Sequence, residues 1–438
     1  MKLGMYIKEA WYDLRKSRVY SAVYIIGTGF SLALVMAYLT VQSMHFDNSY
    51  PEVHRDRMLI IPALEESKDG GGSTSAMLSL NFIDRFLLQD PIEGVQAVSA
   101  ITYEDVTVAN DRGEALGTVA GVVDEAFWMV FRMDFVDGHA LTELSLNQAA
   151  PEAVVCESLA RLLYGRSDIA GERLFFKDRE FRVCGVVRDV PQTASIAFAQ
   201  LWIPDLDKEA RAASSFEWLG RESMLGDYFA VLLAEDRSDF ASIRQTIEDR
   251  LEIYNSSADV EYKLSCYKGI PTVRENSFIW SGLTSASFTW IGIGVMLFIL
   301  LIPMINLSGM VSSRMEARMG EFGVRKSFGA WRGDVLQQIT GENLLLTLLG
   351  GVLGLLLSYV LLGVFSEQFN GMLPTEVLGM VFSMEEIDAA VFSVRDFFKL
   401  RLYLLLLAIV LVLNLVSALL PAMKVMRRPI TESLNSVK

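Results

Sequence analysis

The sequence predicts an α-helical membrane protein with four transmembrane helices and an α+β extracytoplasmic domain inserted between spans one and two. Three observations carry this. Charged residues are missing from Val19–Met44, Asn276–Ser313, Asn343–Ser366 and Leu402–Met423, and each stretch reaches the roughly 20 residues that a helix needs to cross about 30 Å of hydrocarbon. Lysine and arginine gather in the short segments between these stretches. The excess acid behind the net charge of −14 falls in one long segment, between Gln42 and Ser285.

Residues 1–18 form a segment carrying Lys2, Lys8, Arg15, Lys16 and Arg18, followed by span one at 19–42. That apolar stretch exceeds the roughly 7–15 residues of a signal-peptide core, and VQSMHF after it offers no small-residue cleavage site, so an uncleaved anchor is expected. The outer domain occupies 43–284 and span two 287–311. An elbow at 312–341 holds Arg314, Arg318, Arg325, Lys326 and Arg332; span three covers 343–365. A short outer loop at 366–401 holds a capping box, Ser393 to Asp396, ahead of span four at 402–420. The tail, 421–438, adds Lys424, Arg427, Arg428 and Lys438. Short basic segments stay in the cytoplasm, so both termini and the elbow are expected inside. A chain this acidic on its outer side is a poor nucleic-acid binder.

Within the outer segment, 59–64, 94–109, 118–123, 152–157 and 228–235 are β-rich, and 173–191 reads as a hairpin turning at Lys177–Asp178–Arg179. GGGSTS at 70–75 reads as an exposed loop. In 238–255, Phe240, Ile243, Ile247, Leu251 and Tyr254 share one helical face behind a capping Ser238, the pattern of a helix packed on a sheet. Cys156 and Cys184 sit in strand-like apolar runs and read as buried thiols in preference to a bridge; the third cysteine is Cys266. His45, His54 and His139 have no ligand cluster near them in sequence, which argues against zinc.

Absences narrow the chemistry. The chain has no G-x-x-x-x-G-K-[ST] phosphate loop, no catalytic histidine arrangement and no carboxylate pair within a span. Leu307–Ser308–Gly309 lies inside an apolar run and carries no nucleotide-binding meaning. Glu342, at the mouth of span three, is the only acid near a span, whereas a proton-driven carrier needs ionisable groups at membrane depth. No catalytic residue, cofactor or metal is therefore expected on this chain, and it is not expected to be an enzyme by itself. In the spans, Gly29, Ala33 and Ala37 recur every four residues, as do Gly350 and Gly354. Such spacing lets helices approach closely, within a subunit or across a dimer. Asn306 and Asn414 are expected to hydrogen-bond between helices.

The elbow reads RMEARMGEFGVRKSFGAWRGDVLQQI at 314–339. Met315, Met319 and Phe322 extend span two's helix with one apolar edge. Gly323 and Gly329 interrupt it, and a new helix is expected to start near Arg332–Gly333–Asp334. Physics alone leaves two readings open: a basic turn resting on anionic lipid, or a knob whose Phe322, Val324 and Phe328 enter a groove on a cytoplasmic partner.

Several blocks, in order, resemble the FtsX-like, MacB-type permeases of ABC transporters: 321–361 (EFGVRKSFGAWRGDVLQQITGENLLLTLLGGVLGLLLSYVL), 45–61, 152–191 and 421–434. The resemblance implies a permease of the bacterial inner membrane with a MacB-like periplasmic core domain. It works as a homo- or heterodimer in the lipid bilayer, above an ABC ATPase on a partner chain that supplies ATP and magnesium. Glu321, Phe322, Gly323, Val324, Arg325, Lys326 and Phe328 would form the ATPase-coupling contact, with Gly329 and Ala330 as its exit turn. Mechanotransmission through the spans would then move the outer domain, with a periplasmic adaptor and outer-membrane channel as further partners. Phe328 and Trp331 are bulkier than the family pattern, and 192–285 matches it only loosely. The implied outputs are efflux of peptides or small molecules, or lipoprotein handling. A non-transporting sensor or regulator of cell-wall enzymes would share the topology, and a scaffold would tolerate changes in the elbow.

Overall fold

The computed structural model describes residues 18–67, 72–142, 151–191, 194–206, 223–264, 269–276, 284–317, 332–364 and 400–426. Two compact units emerge. One holds the described residues of Ser43–Ser285; the other is helical and holds the chain before Ser43 together with the described residues after Ser285, through Met426.

The first unit contains a nine-stranded mixed sheet. Its path runs β1 (Met58–Ile61), β12 (Phe229–Ala234), β4 (Val95–Asn110), β5 (Ala115–Val123), β10 (Leu201–Pro204), β7 (Glu152–Cys156), β9 (Arg179–Val187), β6 (Phe135–Gly138). β8 (Arg173–Phe176) pairs with β4 and β9. The β10–β5 and β7–β9 pairs are parallel. A four-stranded antiparallel sheet has the order β11 (Leu225–Gly226), β3 (Ser73–Leu78), β2 (Leu64–Ser67), β13 (Glu261–Leu264).

The central strands read as unbroken apolar runs because both of their faces are covered. Met58, Ile60, Phe229, Val231 and Leu233 enter one core. Their neighbours Leu59, Ile61, Ala230, Leu232 and Ala234 enter the other. Helix α2 (Glu157–Tyr164) adds Leu159, Ala160 and Leu163 to the first core, ending where Gly165 takes φ +73° and donates to Arg161 O at 2.9 Å. Helix α3 (Phe240–Asn255) buries Ile243, Ile247 and Leu251 in the second. Each buried leucine or isoleucine here contributes about 1.5–3 kcal/mol.

The hairpin forms as its residues suggest. Lys177 and Asp178 take φ +48° and +58° and join β8 to β9, with Phe176 paired to Arg179. That is the left-handed pair a two-residue turn of matching twist requires. Three local expectations are corrected. The 59–64 run is two strands in different sheets, parted around Pro62, which has no N–H to give a ladder. Of GGGSTS, Ser73–Ser75 lie in β3 and pair with Glu65–Ser67. Asp236, not Ser238, caps the turn ahead of α3: its carboxylate accepts from Ser238 N, and Asp239 reciprocates to the Asp236 N–H.

The helical unit holds α1 (Arg18–Phe46), α4 (Ser285–Ala317), α5 (Arg332–Val364) and α6 (Leu400–Met426). Three stretches are long and apolar enough to cross a membrane: Ser21–Thr40, Thr340–Val364 and Leu400–Leu419. The fourth predicted span falls on α4, whose described apolar stretch, Ala286–Leu301, is shorter. The capping box at 393–396 lies outside the described residues.

Candidate functional site: a packed helix junction

The elbow residues Glu321, Phe322, Gly323, Val324, Arg325, Lys326, Phe328, Gly329 and Ala330 lie outside the described residues. The helices that bracket them do not. α4 continues to Ala317, past its apolar run, and α5 begins at Arg332, well before its own. Both helices belong to the helical unit.

Glycine sets how tightly these helices meet. A Cβ on Gly29 would lie 3.1 Å from the Gly350 carbonyl oxygen and from the Leu353 side chain. On Gly354 it would lie 2.9 Å from the Gly29 carbonyl oxygen and the Leu32 Cβ. The small-residue faces of α1 and α5 thus meet within one chain, and Ala33 and Ala37 beside them are buried. Gly351 faces the other way, toward Leu407 of α6, and Tyr403 donates to its carbonyl. Leu32, Val35, Met36, Leu300, Tyr403, Leu406 and Val410 join α1, α4 and α6 in one buried cluster.

A polar knot lies in the same junction. Asn414 Nδ2 donates to Tyr24 Oη at 2.9 Å and approaches Thr347 Oγ1 at 3.2 Å. Tyr24 Oη and Thr347 Oγ1 are 2.9 Å apart, and Thr347 donates to Asn343 O at 2.8 Å. Tyr24, Thr347 and Asn414 are each buried. Three helices are thereby pinned in register, each hydroxyl satisfied, as apolar surroundings demand. The side chain of Asn306 lies outside the described residues.

Because the Gly354 contact is to backbone, Gly354→Ala must move a helix. It should cost about 1–3 kcal/mol, read as lost thermal stability of the detergent-solubilised chain. Gly363→Ala, which faces open space, should cost nothing.

The other unit offers two further features. A recess of about 180 Å³ has an apolar floor of Phe176, Phe181 and Ile203, and the Lys177–Glu104 ion pair sits at its rim. Cys156 and Cys184 are free and buried. Burial, followed by nearby carboxylate charge, pushes each thiol up to about 12. Sequence spacing gave no sign that His139, Glu152 and Cys184 meet, yet their donor atoms lie within 4.8 Å of one another.

The sequence model of the MacB-like periplasmic core domain matches residues 21–250, slightly more than half the chain, and that of the FtsX-like permease C-terminal region matches 293–430. The chain belongs to the FtsX-like, MacB-type family of ABC transporter permeases. This permease is 23% identical over 269 residues to the ABC transporter permease YknZ of Bacillus subtilis (strain 168), covering 61% of this chain and 63% of that protein. It is 28% identical over 282 residues to the macrolide export ATP-binding/permease protein MacB 1 of Aeromonas hydrophila, covering 63% of this chain and 40% of that one. The permease therefore spans less than two thirds of either relative. Among solved structures, the periplasmic region of MacB from Actinobacillus actinomycetemcomitans covers 48% of this chain and 89% of its own, at 17% identity and TM-score 0.34. The extracellular domain of YknZ covers 47% and 98%, at 15% identity and TM-score 0.34.

Proposed function

We propose that this chain is the permease subunit of an ABC-type machine, powered through its elbow by an ATPase carried outside these 438 residues and expected on a partner chain. The output is efflux of peptides or small molecules, or lipoprotein handling. One observation carries the reading: a MacB-like core domain at 21–250 and an FtsX-like region at 293–430 stand in order on one chain. Long helices on either side of the basic elbow support it, because they supply a stiff path from the membrane surface into the buried junction. The topology that goes with this reading has four spans, both termini and the elbow in the cytoplasm, and the sheet-bearing unit outside. In this reading the chain works as one half of a permease dimer.

Two experiments test it. Gentle purification of the tagged chain from native membranes should bring down a nucleotide-binding ATPase; none under several mild detergents would favour a sensor or scaffold. Topology is read by maleimide labelling of single cysteines at Asp178→Cys and Trp331→Cys in a Cys266→Ser background. Cys156 and Cys184 stay silent at neutral pH, being buried and held protonated by their raised pKa values. Position 178 should label from outside and 331 only after permeabilisation. The reverse pattern overturns the orientation.

A further inference from the structure

We propose that His139, Glu152 and Cys184 form a binding site for a divalent, borderline-soft cation, with zinc as the best match. A defect in a β-ladder sets the site up. In the parallel β7–β9 pair, Ala153 faces Val183 and Val154 faces Gly185, so Cys184 is an extra residue on β9 with no partner on β7. Such a bulge bends its strand and re-aims a side chain.

Glycines complete the arrangement on the other side. Gly138, at φ +70°, ends β6 opposite Gly185; a Cβ on Gly138 would lie 2.0 Å from Cys184 O, and one on Gly185 2.4 Å from His139 O. Only glycine tolerates that approach, which places His139 against Cys184, with its N–H donating to Cys184 O at 2.9 Å. Glu152 starts β7 across the other edge of β9. Three ligands, from the residue after β6, the start of β7 and the bulge of β9, thus converge, 13 and 32 residues apart along the chain.

Chemistry selects the cation. One imidazole, one carboxylate and one thiol offer N, O and S donors, a set suited to zinc and poorly suited to magnesium or calcium. Donors around tetrahedral zinc stand about 3.3–3.8 Å apart, given bonds of about 2.0–2.3 Å. From 4.8 Å, the closure falls on exposed His139 and half-exposed Glu152, while buried Cys184 stays where the bulge holds it. His139 Nδ1 lies 2.9 Å from Ala140 O, the backbone partner that orients ligating imidazoles. On binding, the Cys184 thiol, which donates to His139 O at 3.5 Å, releases its proton to solvent and its sulfur bonds the metal from where it stands. Three protein ligands leave a fourth position for water, so the ion should exchange, and it would clasp β6 and β7 onto β9.

The test uses the metal-stripped, full-length chain in detergent, titrated with Zn²⁺ against a chromophoric chelator and separately with Co²⁺. One Zn²⁺ per chain is expected, with a near-ultraviolet thiolate-to-cobalt band lost in Cys184→Ser and kept in Cys156→Ser. His139→Ala, at an exposed position that folding does not need, should weaken zinc at least tenfold. Wild-type affinity no higher than that of a His139→Ala/Glu152→Gln/Cys184→Ser variant would overturn the site, as would a cobalt band indifferent to Cys184. If Cys184→Ser does not fold, His139→Ala and Glu152→Gln decide alone: affinity unchanged in both overturns the proposal.

Discussion

Replacing Arg325 and Lys326 together with glutamate should abolish ATPase association while leaving the chain inserted and its outer unit folded. The double change turns two positive charges into two negative ones within an apolar, glycine-bounded segment. If the partner's groove is complementary to these cations, reversing both places like charges together at a cost of several kcal/mol. A loss of about 2.7 kcal/mol already lowers affinity roughly 100-fold, enough to empty the complex during purification. Conservative Arg325→Lys and Lys326→Arg variants should keep most of the association. If the elbow only rests on anionic lipid, the double reversal would alter membrane contact yet leave a co-purifying ATPase in place, and that result would sink the coupling reading.

Arg55→Ala should destabilise the sheet-bearing unit by about 3–5 kcal/mol. Arg55 and Glu52 pair at 2.5 Å with 4% and 1% of their side chains exposed. Among the described residues, Glu52 Oε1 has no hydrogen-bond partner, so removing the cation strands a carboxylate charge in the interior. For a unit of this size the loss corresponds to a fall in Tm of roughly 6–20 °C, measured by thermal unfolding of the solubilised chain. The paired change Glu52→Leu/Arg55→Met removes both charges and should recover most of it, because a buried ion pair gains little over well-packed apolar residues. A double variant as unstable as Arg55→Ala would show that the pair does more than neutralise itself.

The contrast between these sites tracks what a sequence can express. Strand β12 was readable because burial on both faces leaves FAVLLA without a polar residue, and the 177–178 turn because the charged Lys177–Asp178–Arg179 breaks two strand-like runs. The helical stretches were readable from missing charge. The start of α5 at Arg332 followed from a glycine-broken polar stretch ahead of an apolar one.

What pairing decides was not readable. Four-residue spacing marked Gly29 and Gly350 as close-approach sites, but only packing makes them each other's partners. Asn414 could be expected to bond across helices without revealing Tyr24 as its acceptor. The cap on α3's leading turn went to Asp236 because a carboxylate there reaches the Ser238 N–H and accepts the Ser238 hydroxyl too. The His139–Glu152–Cys184 convergence depends on a one-residue register shift in β9. Its sole trace in the sequence is a glycine beside the histidine and another beside the cysteine.

An ATPase that grips this permease at the elbow should be caught there directly. The most direct measurement places a photo-crosslinking amino acid at Phe322 in the full chain and irradiates native membranes. An adduct with a nucleotide-binding ATPase is expected, lost when Arg325 and Lys326 are reversed. Adducts confined to lipid or to this chain itself, with an associated ATPase still hydrolysing ATP, would contradict it.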